Sequence, residues 1–455
     1  MRGYLLKRGT ARCFKPQHGT PWTIPPVFEE ELSRFIDQVL EEGHYRFKRN
    51  RVYTLKELLL LLLKACTQNI TLKSETAIYG SQETGKPYTR QNLEYRLDHF
   101  PEEILQKVLE KISLSYHRNP LAKSHDSLVS RKVAKQFKLV LAIDGTTLDQ
   151  IRKTKGLYRE RGEVLKTHKG YTVTSGGHML VKLDLSNLMI VGASYHANPL
   201  VNDTNFIEEH LSWTKKKTLT MMDRGFYSFA LFEGILQAGA HFIIPFRKGT
   251  RIVSKTVLTQ TAEYRESLVQ IGVKPKLNYP LRLIEYDHFP TFAGKEAPRV
   301  LLTSVINPQK LPAEEVIRCY AQRWTIETFF KRIKTDLALS RLRSSKSRHI
   351  DIQALCTLIV YQIYNRFRIA IANELRRSVQ DISLAKEMQL LKAYAHKLSL
   401  SRQSQKKTGW KALFHKAIRS CGKSISMVVE KNRKAEAVRL IREIYYLKLS
   451  RLQAA

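Results

Sequence analysis

The chain has 455 residues, with 77 Lys+Arg against 41 Asp+Glu and a formal net charge of +36. That length exceeds what one core commonly holds, and the charge favours a polyanionic partner, because each neutralised phosphate releases condensed counterions. The cysteines (Cys13, Cys66, Cys319, Cys356 and Cys421) are scattered without zinc spacing, which argues against a zinc module or a disulfide scaffold and for reduced thiols in the cytoplasm.

Residues up to about Ser115 read as helical. Thr54–Glu57 matches a capping box and opens a helix with the leucine run Leu58–Leu63. That run is far shorter than the roughly 20 residues a membrane span needs, and the basic N-terminus has no apolar signal core; no membrane partner is expected. Glu75–Tyr79, the turn-like Gly85–Pro87 and Thr89–Leu97 resemble helix, turn, helix, and the last segment carries Arg90, Gln91, Asn92 and Arg96, all able to reach bases or phosphates. An ordinary helical bundle with a solvated polar face fits the same residues. His117–Lys135 is polar and basic, a predicted linker.

From Phe137 the pattern changes. Leu139–Ile143 is a short apolar run ending at Asp144, a predicted buried strand. Met179–Leu185 and Leu188–Ser194 suggest a hairpin, Asp203–Trp213 a helix, and Thr218–Met222 a strand that ends at Asp223. A helix over Ser228–Ala238 and a strand over His241–Phe246 complete an α/β alternation. Short β-type segments at Arg251–Val257, Ser267–Val273, Leu281–Tyr286 and Val300–Val305 read as a β-rich insertion. A helix is predicted over Pro312–Leu337, another over Ile352–Leu375, and a Lys/Arg-rich helical tail beyond Leu384.

On the Pro312–Leu337 helix, Tyr320, Arg323, Glu327, Lys331 and Lys334 share one face, within roughly 80° at ~100° per residue. This presents a carboxylate among cations, whereas Ile326, Phe329, Phe330 and Ile333 point elsewhere. Alone, such a face is commonly a solvated ion-pair surface, and an Asp after a strand is commonly a turn residue or cap. Together, Asp144, Asp223 and Glu327 supply three hard oxygen ligands suited to Mg²⁺ or Mn²⁺. Two such ions suit phosphodiester displacement, by activating the attacking oxygen and stabilising the leaving one.

At these residues the sequence resembles a known family. Asp144, Asp223 and Glu327 look like the DDE triad of the insertion-sequence-four family of bacterial transposases. The spacing Tyr320, Arg323, Glu327, Lys334 matches that family's Tyr-Arg-Glu-Lys signature, and Asp223–Tyr227 (DRGFY) resembles its second-aspartate motif. The resemblance covers roughly Phe137–Leu375.

It implies an α/β fold with an RNase H-like catalytic core in two parts (136–249 and 307–378), split by the β-rich insertion (250–306). A helical N-terminal DNA-binding domain (1–120) and a basic helical C-terminal region (379–455) would flank it. It also implies a metal pair on Asp144, Asp223 and Glu327, with Asp144 bridging both ions. Tyr320, Arg323, Lys331 and Lys334 would then contact DNA. The implied reaction is cleavage at terminal inverted repeats and joining of the 3′-hydroxyl to target DNA. The implied partners are double-stranded DNA and a second copy of the chain, in the bacterial cytoplasm at the nucleoid. The rivals are a non-catalytic DNA-binding transposition inhibitor and a stand-alone RNase H-like nuclease; a structural RNA-binding protein explains the charge but not the acids.

Overall fold

The computed structural model describes residues 26–47, 53–68, 73–117, 128–148, 173–272, 277–286, 300–344, 346–375 and 377–389, with the short strand segments 151–153, 159–160 and 163–164. The predicted basic tail from residue 390 onward, and residues 118–127 of the predicted linker, lie outside the described residues.

The N-terminal part is helical: α1 (Pro26–Glu42), α2 (Leu55–Gln68), α3 (Ser74–Thr84), α4 (Arg90–Asp98) and α5 (Glu102–His117). The capping box forms at the start of α2. The Thr54 amide donates to Glu57 Oε2 (2.7 Å) and the Glu57 amide to Thr54 Oγ1 (3.2 Å), satisfying amides that a helix start leaves unpaired. Gly85 ends α3 in the left-handed region (φ 68°), and Thr89 caps α4 by accepting from the Asn92 amide (3.1 Å). On α4, Arg90 and Gln91 are exposed. Asn92 instead accepts from the Tyr53 hydroxyl (2.9 Å), and the Arg96 guanidinium lies 3.9 Å over the Phe47 ring. Those last two are committed to internal contacts. Part of the predicted linker is also helical: α6 (Arg131–Gln136) starts from a Ser130 cap.

The core is mixed α/β. β1 (Leu139–Thr147) is followed by two small pairs, β2 (Ile151–Lys153) with β5 (Val173–Ser175) and β3 (Arg159–Glu160) with β4 (Glu163–Val164). Then come β6 (His178–Asp184), β7 (Ile190–His196), α7 (Ile207–Ser212), β8 (Thr218–Met221), α8 (Phe229–Gln237) and β9 (His241–Pro245). β7 starts at Ile190 rather than Leu188 because Leu188 takes a positive φ (59°) in the turn, its amide bonded to the Asp184 carbonyl (2.7 Å).

β10 (Ile252–Gln260), β11 (Tyr264–Ile271), β12 (Leu281–Tyr286) and β13 (Val300–Thr303) follow. All join one nine-stranded sheet in the order β10-β11-β12-β13-β9-β8-β1-β6-β7. The inserted strands do not stand apart, because β13 pairs with β9 and prolongs the core sheet. β1, β8 and β9 run parallel, while β6 and β7 are antiparallel neighbours of β1.

The single helix predicted over Pro312–Leu337 is two helices, α9 (Ala313–Ala321) and α10 (Trp324–Thr335). At the junction the bonds tighten to i→i−3: Arg323 N to Tyr320 O, Thr325 N to Gln322 O and Ile326 N to Arg323 O, each 3.0 Å. Tyr320 therefore belongs to a different helix from Glu327, and it is buried in the main core rather than facing solvent. α11 (Ser347–Glu374) begins before the predicted Ile352 and is buried along most of its length. It packs on α2, α4 and α5 on one side and on β7 and α10 on the other. Gln362 ties these layers by donating to Ser113 Oγ of α5 and to the Ile190 carbonyl of β7, both at 2.9 Å. Among the described residues no helix is long and apolar enough to cross a membrane.

Candidate active site

Parallel pairing sets the two aspartates side by side. Ala142 on β1 is in register with Met221 on β8, and Asp144 and Asp223 each lie two residues further on. Asp144 was expected just after its strand; it lies within it, because β6 keeps pairing with β1 as far as Thr147↔His178. Its Oδ1 accepts from the Gly145 amide (2.9 Å). Asp223 follows β8 and caps a short 3₁₀ turn, accepting from the Gly225 amide (2.7 Å). The cap role weighed for such an aspartate is thus real, and it leaves Oδ2 free for other work.

α10 packs on β1 and brings Glu327 over this strand end. Arg323 spans the gap: its Nη2 donates to Glu327 Oε1 (2.8 Å) and its Nη1 to Asp144 Oδ2 (3.4 Å). Arg323 Nε is buried and has no hydrogen-bond partner among the described residues. Tyr320, 7% exposed, holds its ring centroid 5.9 Å from the same guanidinium. Lys331 is exposed on α10, and Lys334 Nζ donates to the Thr147 carbonyl (2.7 Å) at the end of β1.

The electrostatics concentrate negative charge. Burial pushes the Asp144 carboxyl up to about 7; Arg323 opposes this, and Asp223, Asp203 and Glu327 add to it. Asp223 is raised chiefly by burial, against the Gly225 amide and Arg323. Burial works against the Arg323 charge, yet Tyr320, Asp144 and Glu327 hold that guanidinium above its ordinary range. Burial pushes the Tyr320 hydroxyl up to about 12, so it stays a neutral donor.

Sequence reasoning missed Asp203. It opens the 3₁₀ turn Asp203–Phe206 after β7 and accepts from His178 Nε2 (2.8 Å). In sequence it reads as an ordinary helix-start residue in a polar stretch; only the return of β7 beside β6 brings it to the site. Among the described residues no three His, Cys, Asp or Glu side chains are gathered tightly enough to enclose a metal ion, and the Arg323 guanidinium lies between Asp144 and Glu327. The donor set, hard oxygens with two carboxyls raised by burial and by one another, nevertheless suits a divalent cation.

The family model of the transposase DDE domain matches residues 135–363, half of the chain, and that stretch includes Asp144, Asp223 and Glu327. The chain belongs to the DDE transposase family. This DDE transposase is 27% identical over 212 residues to the transposase InsG of insertion sequence element IS4 from Escherichia coli K12. The alignment takes in 44% of this chain and 45% of that relative, so the match spans less than half the length of either. Among solved structures, the piggyBac transposase synaptic complex with hairpin DNA is similar at a TM-score of 0.38 and 12% identity, covering 88% of this chain and 83% of that one.

Proposed function

We propose that the chain is the DNA transposase of an insertion sequence, acting by cut and paste. The observation that carries this is the parallel register of β1 and β8, which sets Asp144 beside Asp223 beneath Glu327 on α10. We read the strand order β7-β6-β1-β8-β9, three antiparallel and then parallel, as an RNase H-like core. The strands from β10 to β13 are its insertion, between the second and third acids.

Asp144, Asp223 and Glu327 would hold two Mg²⁺ or Mn²⁺ ions, which when bound activate the attacking oxygen and stabilise the leaving one. For the acids to converge, Arg323 must release Asp144 and Glu327. A phosphate is a natural new partner for it, since a guanidinium grips phosphate bidentately and its Nε is already unpartnered. Tyr320 supports Arg323 from the core side, Lys331 offers an exposed charge, and Lys334 stands at the end of β1. In this reading the Tyr-Arg-Glu-Lys spacing serves DNA strand positioning as well as metal binding.

In the first step water attacks a phosphorus at the element's end, and the bond to the 3′-oxygen breaks to leave a 3′-hydroxyl. In the second that hydroxyl attacks a target phosphorus and the target's own 3′-oxygen leaves, without a covalent protein–DNA bond. The excess of positive charge suits both DNA segments, and joining two ends together calls for at least two copies of the chain.

The test uses labelled DNA carrying the terminal repeats that flank the chain's own gene, with Mg²⁺ or Mn²⁺. Nicking at the repeat ends followed by joined product is expected. Cleavage with no joined product would favour a nuclease, and binding with no cleavage would favour a transposition inhibitor.

A further inference from the structure

Given the active-site reading above, we propose that Asp203 is a fourth acid of the metal pocket, that it helps bind the divalent cation, and that His178 is its positioning residue. Asp203 lies 25 residues from His178 in the chain, yet His178 Nε2 is 2.8 Å from its Oδ1. The turn that carries Asp203 is anchored by Phe206, whose ring stacks on His178 at 5.6 Å between centroids.

Two glycines show where the carboxylate points. A Cβ on Gly145, next to Asp144, would sit 2.1 Å from Asp203 Oδ1 and 2.2 Å from His178 Nε2. A Cβ on Gly225, two residues past Asp223, would sit 3.1 Å from Asp203 Oδ2 and 2.9 Å from Asp223 Oδ1. One oxygen of Asp203 thus fills the space that a side chain beside the first catalytic aspartate would take. The other fills that space beside the second. Asp203 therefore lies between the strand ends rather than at the rim.

A purely structural carboxylate so placed would be costly, because it raises the energy of the ionised Asp144 and Asp223. Arg323 does not reach it: that guanidinium pairs with Asp144 and Glu327. His178 fixes Oδ1, while Oδ2 has no hydrogen-bond partner among the described residues. His178 is itself 8% exposed, and its Nδ1 makes no hydrogen bond there. An oriented carboxylate with one oxygen tied by an imidazole and the other directed at two further acids has the donor chemistry of a cation site.

The test measures Mn²⁺ affinity of the full chain by electron paramagnetic resonance, alongside melting in EDTA. Asp203→Asn keeps an oxygen to accept from His178, so its melting in EDTA should match or exceed wild type. Its Mn²⁺ affinity should fall about tenfold or more, in the same direction as for Asp144→Asn. His178→Ala should weaken Mn²⁺ binding, and His178→Gln, which can still donate to Asp203, should restore most of it. In the wild-type chain, sub-stoichiometric Mn²⁺ should broaden the His178 ring resonance, a readout that needs no variant. If Asp203→Asn binds Mn²⁺ like wild type while Asp144→Asn does not, or if the His178 resonance stays sharp as Mn²⁺ binds, Asp203 is outside the pocket and the inference fails. If Asp144→Asn also binds like wild type, the underlying active-site reading fails instead.

Discussion

Asp144→Asn is expected to silence DNA cleavage and, in metal-free buffer at pH 8, to melt at a higher temperature than wild type. The Asp144 carboxyl, ordinarily at 3.8, is moved by burial to about 7 in the folded chain even with Arg323 in its favour. A carboxyl so moved carries on the order of 4 kcal/mol against its ionised form. From about pH 4 to about pH 7 the folded chain holds a proton that the unfolded chain has released. Wild-type stability therefore falls as pH rises through that window and levels off above it. Asparagine cannot ionise, so the variant's advantage should be largest above pH 7 and vanish near pH 4. Divalent cation should reverse the order by stabilising wild type through binding. The loss in cleavage should reach about 10³-fold, the equivalent of roughly 4 kcal/mol of transition-state stabilisation. Thermal melts across pH, with EDTA or Mg²⁺, check the stability; a variant less stable than wild type at pH 8 in EDTA would remove the basis for a charge-strained site.

Arg323→Ala should do the opposite to stability. Arg323 is 8% exposed and pairs with Asp144 and Glu327 together, so truncation leaves two carboxylates facing each other without their cation. The expected cost is about 3 kcal/mol in metal-free buffer, toward the lower end for a buried pair because the Glu327 side chain is 35% exposed. It should shrink as pH falls below about 7, where Asp144 takes up its proton. Mg²⁺ should restore much of it by replacing the missing positive charge. Arg323→Lys should recover little, since one ammonium cannot span both acids. Denaturant titrations with and without Mg²⁺ decide the matter: a loss that Mg²⁺ leaves untouched would mean that Arg323 does not stand where the cation binds.

Much of this was legible in the sequence because local rules agree there. Val140–Ile143 is a buried apolar run inside β1, Thr218–Met221 is another in β8, and Thr54 with Glu57 closes its capping box. What was not legible depended on contacts between distant residues or on a subtle local change. The α9–α10 junction leaves the apolar periodicity intact, because its i→i−3 bonds cost no hydrophobic residue; helical arithmetic therefore put Tyr320 on a solvent-facing stripe, whereas it is buried. Arg323 meets Asp144 across 179 residues. Asp203 had no motif of its own, and its partner His178 reads as one histidine among 14. Continuation of the inserted strands into the core sheet rests on the β13–β9 pairing, which no short segment announces.

The central claim is that Asp144, Asp223 and Glu327 converge on divalent cations, and iron-mediated backbone cleavage tests it most directly. Fe²⁺ loaded in place of Mg²⁺, with ascorbate and peroxide, generates radicals that cut the polypeptide beside the bound ion. The account expects fragments ending near residues 144, 223 and 327, suppressed by excess Mg²⁺ and absent from Asp144→Asn. Fragments mapping elsewhere, or the same pattern in Asp144→Asn as in wild type, would contradict it.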